Sequence, residues 1–230
     1  MLCMGTRRPL SIELDKILSQ LWPILGLSLQ VSGFAVLISS LIGLPLGVGM
    51  GLGRFPAKPL VVGLVQTGMA LPPVVVGLLL YLLLSRSGPL GSLGWLFSPR
   101  AMILAQIALD LPFVIAITMV AVASVPSDLP WQLRSLGASP NQARWEVVRE
   151  ASSGILLAVA TAFGRSLSEV GAVWLVGGNI EGRTRVLTTA IVLETGKGNF
   201  GLALLLGAAL LVVALAINLI IVRYQWRALP

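Results

Sequence analysis

Residues 133–150 read LRSLGASPNQARWEVVRE, a polar stretch in the middle of an otherwise apolar chain. Gly137 is a candidate helix stop, because glycine readily adopts the left-handed conformation that ends many helices. Ser139, Pro140 and Gln142 give a helix start, with serine at the N-cap, proline at the first helical position and glutamine three residues after the cap. The stretch therefore predicts two short helices joined by a tight turn.

The segments around this insert have the composition of membrane spans. Only 11% of the 230 residues are charged, whereas soluble domains carry about 25%. An apolar run of about 18 residues or more predicts a transmembrane helix. The stretches that qualify, with few or no charges, are 24–53, 59–85, 101–127, 151–180 and 198–222. The sequence thus predicts an all-α membrane protein with five transmembrane helices per chain.

The residues before the first span, 1–23, are predicted to form a tail and a short interfacial helix over 10–22. In that helix apolar residues are interleaved with charged ones, which is compatible with a position at the membrane surface. The apolar stretch that follows is too long for a secretory signal, and no small-residue cleavage site follows it. The transmembrane domain is therefore expected to cover 24–230, with the polar insert at about 127–150.

Glycines and prolines indicate how the first two spans are built. Gly43, Gly47 and Gly51 recur every four residues, so they allow a neighbouring helix to approach closely, although glycine is also ordinary filler in membrane helices. Pro72 and Pro73 lie inside the second span and remove backbone donors there. We expect a kink or an unwound turn at these prolines, beside a water-filled path or neighbouring protein.

Polar and charged residues inside the predicted spans mark the candidate site, because a charge at mid-membrane costs at least about 2.5 kcal/mol on insertion scales. Arg165 and Glu169 are four residues apart and are predicted to share one helix face, which Asp110 of the third span could approach. The cluster either only fixes helix packing or lines a translocation path, with Arg165 attracting an anion. The candidate path residues are Asp110, Arg165, Ser166, Ser168, Glu169 and Asn179.

The composition excludes several kinds of chemistry. The chain has no histidine and a single cysteine, which removes histidine-based triads, histidine metal sites and an intrachain disulfide. No metal site and no cofactor are expected. The only Gly-Lys pair, at 196–197, is followed by Gly198 rather than Ser or Thr, so no phosphate loop is complete. We therefore expect no enzyme activity; any work must be driven by a gradient or by another subunit.

The net charge of +7 fits contact with anionic lipid or an anionic solute. Nucleic acid is a poor fit, because the basic residues are scattered between the spans. They also divide almost evenly between the two membrane faces, so charge alone does not orient the chain. The segment 180–199 mixes polar and apolar residues, and either re-enters the membrane edge, caps the outer face or forms a surface loop.

Several motifs resemble the inner-membrane permease subunits of ABC importers. In that family a cytoplasmic helix–Gly–helix element docks on the ATP-hydrolysing subunit, and LRSLGASP at 133–140 is strongly similar to it, with Gly137 at its glycine position. The ends of the element, Trp131–Leu133 and Val147–Glu150, depart from the usual motif. Three further stretches carry the resemblance: LPPVVVG (71–77) to molybdate-type permeases, GRSLSEVGAVWLVGGNI (164–180) to the oxyanion branch, and TRVLTTAIVLETGKGNFG (184–201) to tungstate permeases.

The resemblance implies a type I ABC importer permease for tungstate, with molybdate or sulfate as alternatives. It implies a homodimer, two ATP-binding subunits, an extracytoplasmic oxyanion-binding protein and surrounding lipid as partners. The expected location is the cytoplasmic membrane of a prokaryote, with the N-terminus outside and the C-terminus inside. The implied ATPase-coupling residues are Leu136, Gly137, Ala138, Ser139, Pro140 and Arg144. A stand-alone anion channel or secondary carrier is the alternative from another class, and it leaves the polar insert without a role.

Overall fold

Helices follow one another along the whole described chain. The computed structural model describes the backbone of residues 10–228 and the side chains of residues 21–223. Within that part there are ten α-helices, one short 3-10 helix at Gly91–Leu93, and no strand. The α-helices are α1 Leu10–Leu52, α2 Lys58–Met69, α3 Pro73–Leu84, α4 Pro99–Ala123, α5 Leu129–Ser135, α6 Pro140–Glu150, α7 Ser152–Ser168, α8 Gly171–Gly177, α9 Leu187–Gly196 and α10 Phe200–Ala228.

Three helices are long and apolar enough to cross a membrane: residues 21–52 of α1, the whole of α4, and residues 200–223 of α10. At 1.5 Å per residue, α4 extends for about 37 Å, more than the roughly 30 Å of a hydrocarbon core. Two further pairs qualify as broken spans, α2 with α3 at 93° and α6 with α7 at 54°. The predicted all-α membrane fold is confirmed, with three spans or up to five when each bent pair counts as one.

The glycine repeat of α1 is a packing surface for α4. A methyl group added at Gly43 would lie 2.8 Å from Val114, and one added at Gly47 would lie 2.7 Å from Thr118. Gly51 meets Val122 in the same way, four residues further along each helix. The two helices therefore run in the same direction, and the small residues allow their backbones to approach closely.

The direction of α7 is opposite to that of α4. Gly154, near the start of α7, packs on Ala121 near the end of α4, whereas Ser166 near the end of α7 meets Gln106. We call residues 129–150, which hold α5 and α6, the elbow. The elbow lies at the end of the bundle where α4 ends and α7 begins, and the far end is where α4 begins and α8 ends.

One helix boundary predicted at the N-terminus differs from the structure, and the second span is interrupted at the prolines where a kink or an unwound turn was expected. The separate helix predicted over 10–22 is not seen, because α1 continues through Pro23 to Leu52; a single proline bends a helix more readily than it ends it. The predicted second span, 59–85, is not one helix. The chain turns by 93° at residues 70–72, where the sequence places Pro72 and Pro73.

The fourth predicted span, 151–180, is also not one helix. α7 ends at Ser168, Glu169 is extended, and a separate short helix, α8, follows. The segment 180–199 is not a bare loop, because it contains α9, whose Leu187 and Ala190 are buried against partly buried residues of α1 and α10. At about 15 Å in length, α9 is too short to cross a membrane.

Candidate functional site

The elbow is built from local hydrogen bonds that its sequence dictates. Gly137 has φ +94°, a conformation that glycine adopts without steric penalty, and the next amide, from Ala138, donates to Leu133 O at 3.0 Å. The predicted capping box is confirmed: Gln142 N donates to Ser139 Oγ at 3.3 Å, and Ser139 N donates to Gln142 Oε1 at 2.7 Å. The turn between α5 and α6 is thus fixed by its own residues.

The elbow exposes large apolar side chains at its turn and along both of its helices. Leu136 is 85% exposed, and Trp131 and Trp145 are each 69% exposed. The opposite side of α6 is anchored to the bundle through Val147, which is buried against Val122. Exposed aromatic and aliphatic groups on a capped, otherwise polar element are typical of a surface that contacts another protein. The elbow can therefore offer an apolar tip while its base is held by the bundle.

Trp145 was not among the predicted coupling residues. It lies in a polar helix between Arg144 and Glu146, so an aromatic residue on a polar face was the signal that could have identified it. Of the predicted set, Leu136, Gly137, Ser139, Pro140 and Arg144 are exposed, and Ala138 is half-buried. Five of the six are consecutive in the turn between α5 and α6, and Arg144 lies one helical turn further along α6.

A second site lies where α7 breaks. Polar side chains from α1, α4, the α7–α8 break and α9 meet there, and we call this group the polar cluster. Its members are Ser28, Ser32, Gln106, Asp110, Arg165, Ser166, Glu169 and Thr188. Ser28, Ser32, Gln106, Ser166, Glu169 and Thr188 line a cavity of about 10 Å³, enough for about one water molecule. A tetrahedral oxyanion does not fit this cavity in the present conformation.

The break itself is braced by hydrogen bonds from three directions. Gln106 Nε2 donates to Ser166 O at 2.9 Å, and Thr188 Oγ1 donates to Glu169 O at 2.9 Å. The Glu169 carboxylate accepts a bond of 3.1 Å from the Ala172 amide, at the start of α8. These bonds satisfy backbone groups that the interrupted helix leaves open, which would otherwise be costly to bury. The break is therefore a defined part of the fold that specific hydrogen bonds stabilise.

The prediction that Arg165 and Glu169 share one helix face is wrong, because α7 ends at Ser168. Among residues 21–223 no ion pair joins them, because α7 ends before Glu169 and its carboxylate turns to α8. The Arg165 guanidinium lies 4.4 Å from the centre of the Phe113 ring, a cation–π contact. Asp110 is buried beside Ser166 and within electrostatic reach of Arg165 and Glu169. The polar cluster thus brings Asp110, Arg165, Ser166 and Glu169 together.

Two predicted path residues lie apart from this group. Ser168 is exposed, and its hydroxyl donates to Arg165 O at 3.0 Å. Asn179 lies beyond the other end of α8, with φ +48°. Gln106 and Thr188, in contrast, belong to the cluster and were not predicted. Gln106 could have been recognised, since it lies in an apolar span and is four residues before Asp110, on the same helix face.

The proline break of α2–α3 supports the break of α7–α8. Val74, directly after Pro72 and Pro73, packs on Gly171 so closely that an added methyl group there would lie 2.9 Å away. Further along α3, Gly77 packs on the backbone of Ala172. The two interruptions of the membrane helices therefore lie against each other.

The fold defines the class of the protein. The chain superposes on a chain of the MetNI methionine ABC transporter, which was solved in inward-facing conformations. The superposition covers 95% of this chain and 99% of the other, with a TM-score of 0.71 and 17% sequence identity. The fold is that of a type I ABC importer permease. The family model described as binding-protein-dependent transport system inner membrane component matches residues 43–227, and the chain belongs to that family.

Curated relatives cover almost the whole chain. A probable anion ABC transporter permease protein of Haloferax volcanii is 44% identical over 218 residues, 93% of this chain and 94% of the relative. The tungstate uptake system permease protein TupB of Peptoclostridium acidaminophilum is 38% identical over 206 residues, 90% of each chain. The molybdenum transport system permease protein ModB of Escherichia coli K12 is 32% identical over 213 residues, 86% of this chain and 91% of the relative.

Proposed function

We propose that this chain is the permease subunit of an ATP-driven importer that moves tungstate across the cytoplasmic membrane of a prokaryote. The full-length similarity to TupB supports tungstate over molybdate, because identity falls from 38% with TupB to 32% with ModB. The related probable anion permease supports an anionic solute more generally. Molybdate and sulfate remain the alternatives within the same role.

The observation that carries this role is the elbow with its exposed apolar tip. A rigid, capped tip with Leu136 85% exposed suits insertion into a cleft of an ATP-binding subunit. Because the ATP-binding subunit lies in the cytoplasm, an elbow that docks on it is also cytoplasmic. Since α1 and α4 run towards the elbow end, the N-terminus is then outside, and an odd number of spans leaves the C-terminus inside. The membrane partners are a second copy of the chain and lipid, and an oxyanion-binding protein docks outside.

Movement of the elbow reaches the polar cluster through α7. α6 and α7 are separated by a single residue, Ala151, and form a bent pair of 54°. A tilt of α6 therefore displaces α7, whose other end carries Arg165 and Ser166. Closure of the two ATP-binding subunits in a homodimer would tilt both copies and widen the path between them. The polar cluster needs such widening, because its present cavity holds only about one water molecule.

Arg165 supplies a weak attraction for the anion along this path. Its charge is partly offset by Asp110, which lies within electrostatic reach, so it attracts an anion without holding it tightly. Exposed Ser168 and, beyond α8, Asn179 extend the polar lining of the proposed path. Selectivity is then mainly the task of the binding protein, and the permease offers a transient route.

Uptake measurements with the complete transporter test the proposal. The chain is co-expressed with its ATP-binding subunit and binding protein in a host that lacks its own oxyanion importers, and cell-associated tungsten, molybdenum and sulfur are measured by mass spectrometry. We expect tungstate accumulation that requires the ATP-binding subunit and is poorly inhibited by sulfate. Accumulation without that subunit contradicts the role and indicates a channel or secondary carrier. Preferred uptake of molybdate or sulfate contradicts the substrate assignment alone.

A further inference from the structure

A larger cavity lies at the far end of the bundle, away from both the elbow and the polar cluster. It has a volume of about 530 Å³ and is formed by α1, by the segment between α3 and α4, by the first residues of α4 and by the loop after α8. The polar groups in its wall are Gln30, Ser98, Arg100 and Arg183, and Trp95 forms part of its apolar wall. We call it the far cavity.

The far cavity carries two positive charges that the described residues do not neutralise. Among residues 21–223, Arg100 and Arg183 form no ion pair. Two acids at this end, within the described side chains, are already engaged: Glu181 pairs with Arg185 at 3.1 Å, and Glu194 pairs with Lys197 at 2.7 Å. Two guanidinium groups on one concave surface create a positive potential that concentrates anions. Guanidinium also matches the geometry of oxyanions better than ammonium does.

The start of α4 adds to this potential. Ser98 is the N-cap residue, yet its side chain makes no capping bond and donates instead to Trp95 O. The positive end of the helix dipole of a 25-residue helix therefore points into a cavity that already holds two arginines. Helix starts of this kind favour negative charge and commonly bind anions when other groups are present.

Two helices, α1 and α4, contribute residues both to the far cavity and to the polar cluster. On α4, Arg100 is six residues from Gln106, which is about 9 Å along the helix axis. On α1, Gln30 of the far cavity is two residues from Ser32 of the polar cluster. On α4 the residues that line the two cavities are thus less than two helical turns apart.

We propose that the far cavity is a landing site for a tetrahedral oxyanion of charge −2, held between Arg100 and Arg183 before it enters the path. This inference rests on the proposed function and adds a binding step to it. A concave cavity of about 530 Å³ accommodates a small anion together with water. The two arginines match its two charges, and the Gln30 side-chain amide can donate to its oxygens.

Anion retention by the full-length chain tests this site without the transport partners. The chain is reconstituted in nanodiscs of uncharged phosphatidylcholine, and bound sodium tungstate, sodium molybdate and perrhenate are quantified by equilibrium dialysis and mass spectrometry. We expect tungstate and molybdate to bind with a strong dependence on salt. Perrhenate has the same shape but one charge, and we expect it to bind several-fold more weakly. The double variant Arg100→Ala/Arg183→Ala should lower tungstate retention at least tenfold.

Matched variants separate this site from general electrostatics and from folding. Arg86→Ala removes an arginine of the same end that does not line the far cavity, and it should retain tungstate like the unmodified chain. The charge-preserving Arg100→Lys/Arg183→Lys should retain an intermediate amount, and each single alanine variant should lie between the double variant and the unmodified chain. A monodisperse elution profile and an unchanged melting temperature show that the double variant is folded; if it is not, the single variants decide.

Four results overturn the landing site. The first is tungstate retention that is unchanged in Arg100→Ala/Arg183→Ala, and the second is an equal loss in Arg86→Ala. The third is a double variant that loses capture of the purified binding protein but keeps tungstate retention, which would make the arginines a protein-docking patch. Normal tungstate uptake by the complete transporter together with no retention in nanodiscs removes the landing site and leaves the proposed function standing.

Discussion

The elbow and the polar cluster are polar regions of one apolar chain, and they are held together in opposite ways. The hydrogen bonds that shape the elbow join residues three to five apart, such as Ser139 with Gln142 and Ala138 with Leu133. Those of the polar cluster bridge long separations: Gln106 is 60 residues from Ser166, and the Leu187 amide donates to Ser28 Oγ across 159 residues. The elbow keeps its shape by itself, whereas the cluster exists only when four segments are packed.

The two regions are also incomplete in different ways: the elbow has exposed apolar groups, and the polar cluster has polar groups without hydrogen-bond partners. The elbow satisfies its polar groups and leaves Leu136, Trp131 and Trp145 exposed, so an apolar surface would complete it. The polar cluster is buried, and within residues 21–223 Asp110 Oδ2 and Arg165 Nε have no hydrogen-bond partner. Such groups cost about 1–3 kcal/mol each when nothing satisfies them. Water would satisfy both groups and an anion would satisfy Arg165 alone, whereas a protein would complete the elbow.

The largest expected effect comes from Gly137→Val, which damages the elbow alone. A β-branched residue is strongly disfavoured at φ +94°, so the turn must change shape and present its tip differently. We expect at least a tenfold loss of tungstate uptake, with ATP hydrolysis no longer stimulated by the loaded binding protein, and with normal insertion in the membrane.

Gly198→Val is the matched control for Gly137→Val. Gly198 has φ +75°, and like Gly137 it has open space around an added methyl group, but it lies between α9 and α10. The Gly198→Val variant should lose much less uptake, although its backbone strain is comparable to that of Gly137→Val. Equal losses in the two variants would show that backbone strain, and not the elbow, sets the outcome.

The next effect is expected from Arg165→Ala in the polar cluster. The change leaves Asp110 buried without its nearby cation and removes the attraction for the anion, so we expect uptake to fall about tenfold and the melting temperature to fall. The double variant Arg165→Ala/Asp110→Asn removes both charges. If Arg165 attracts the anion, the double variant regains its melting temperature but not its uptake; if Arg165 serves packing only, both return.

A smaller effect is expected from Gln106→Ala, which removes the brace on Ser166 O. We expect a loss of about 1–3 kcal/mol in the free energy of unfolding and a several-fold loss of uptake, measured by chemical unfolding in detergent and by the uptake assay. Gln132→Ala is the control, because Gln132 is exposed and bonds only locally, to Asp128 at 2.7 Å. It should change stability by less than about 0.5 kcal/mol. Similar losses of stability in the two variants would contradict the proposed difference between the elbow and the polar cluster.

The smallest effect is expected from Ser139→Ala, which removes one half of the capping box. Loss of an N-cap hydroxyl costs about 1 kcal/mol, and we expect a modest loss of uptake, since Pro140 still favours the helix start. Ser135→Ala removes a hydroxyl that donates to Trp131 O, without any capping role, and should leave uptake unchanged. The two variants are compared by initial uptake rate and by hydrogen exchange of the α6 amides; faster exchange in both would contradict the capping role.

The sequence predicted the elbow well and the polar cluster only in part, and the range of the interactions explains why. Gly137, Ser139 and Gln142 act within one turn of the chain, so their pattern is sufficient. The break at Glu169 depends on Gln106 and Thr188, which are far away in sequence. The spacing of four residues therefore predicted one helix face for Arg165 and Glu169, but the helix ends between them.

The same reasoning applies to the spans. Pro72 and Pro73 indicated a break, but the bend of 93° depends on how α3 packs against α8, and no local pattern encodes that angle. The glycine repeat of α1 indicated a close neighbour without saying which helix it was. The helix predicted over 10–22 shows the opposite error, because α1 continues through Pro23 without a break.

The parallel packing of α1 on α4 has a consequence for biosynthesis. Two parallel helices cannot form a hairpin, so the chain must cross the membrane once more, through α2 and α3, before α4 can reach Gly43, Gly47 and Gly51. Until α4 has been made, this glycine face of α1 has no partner from the same chain and is open to lipid or to other proteins. The ribosome must synthesise at least 70 residues beyond Gly51 before Val122 can cover it. During that interval the nascent permease presents a helix-binding surface that the finished protein no longer has.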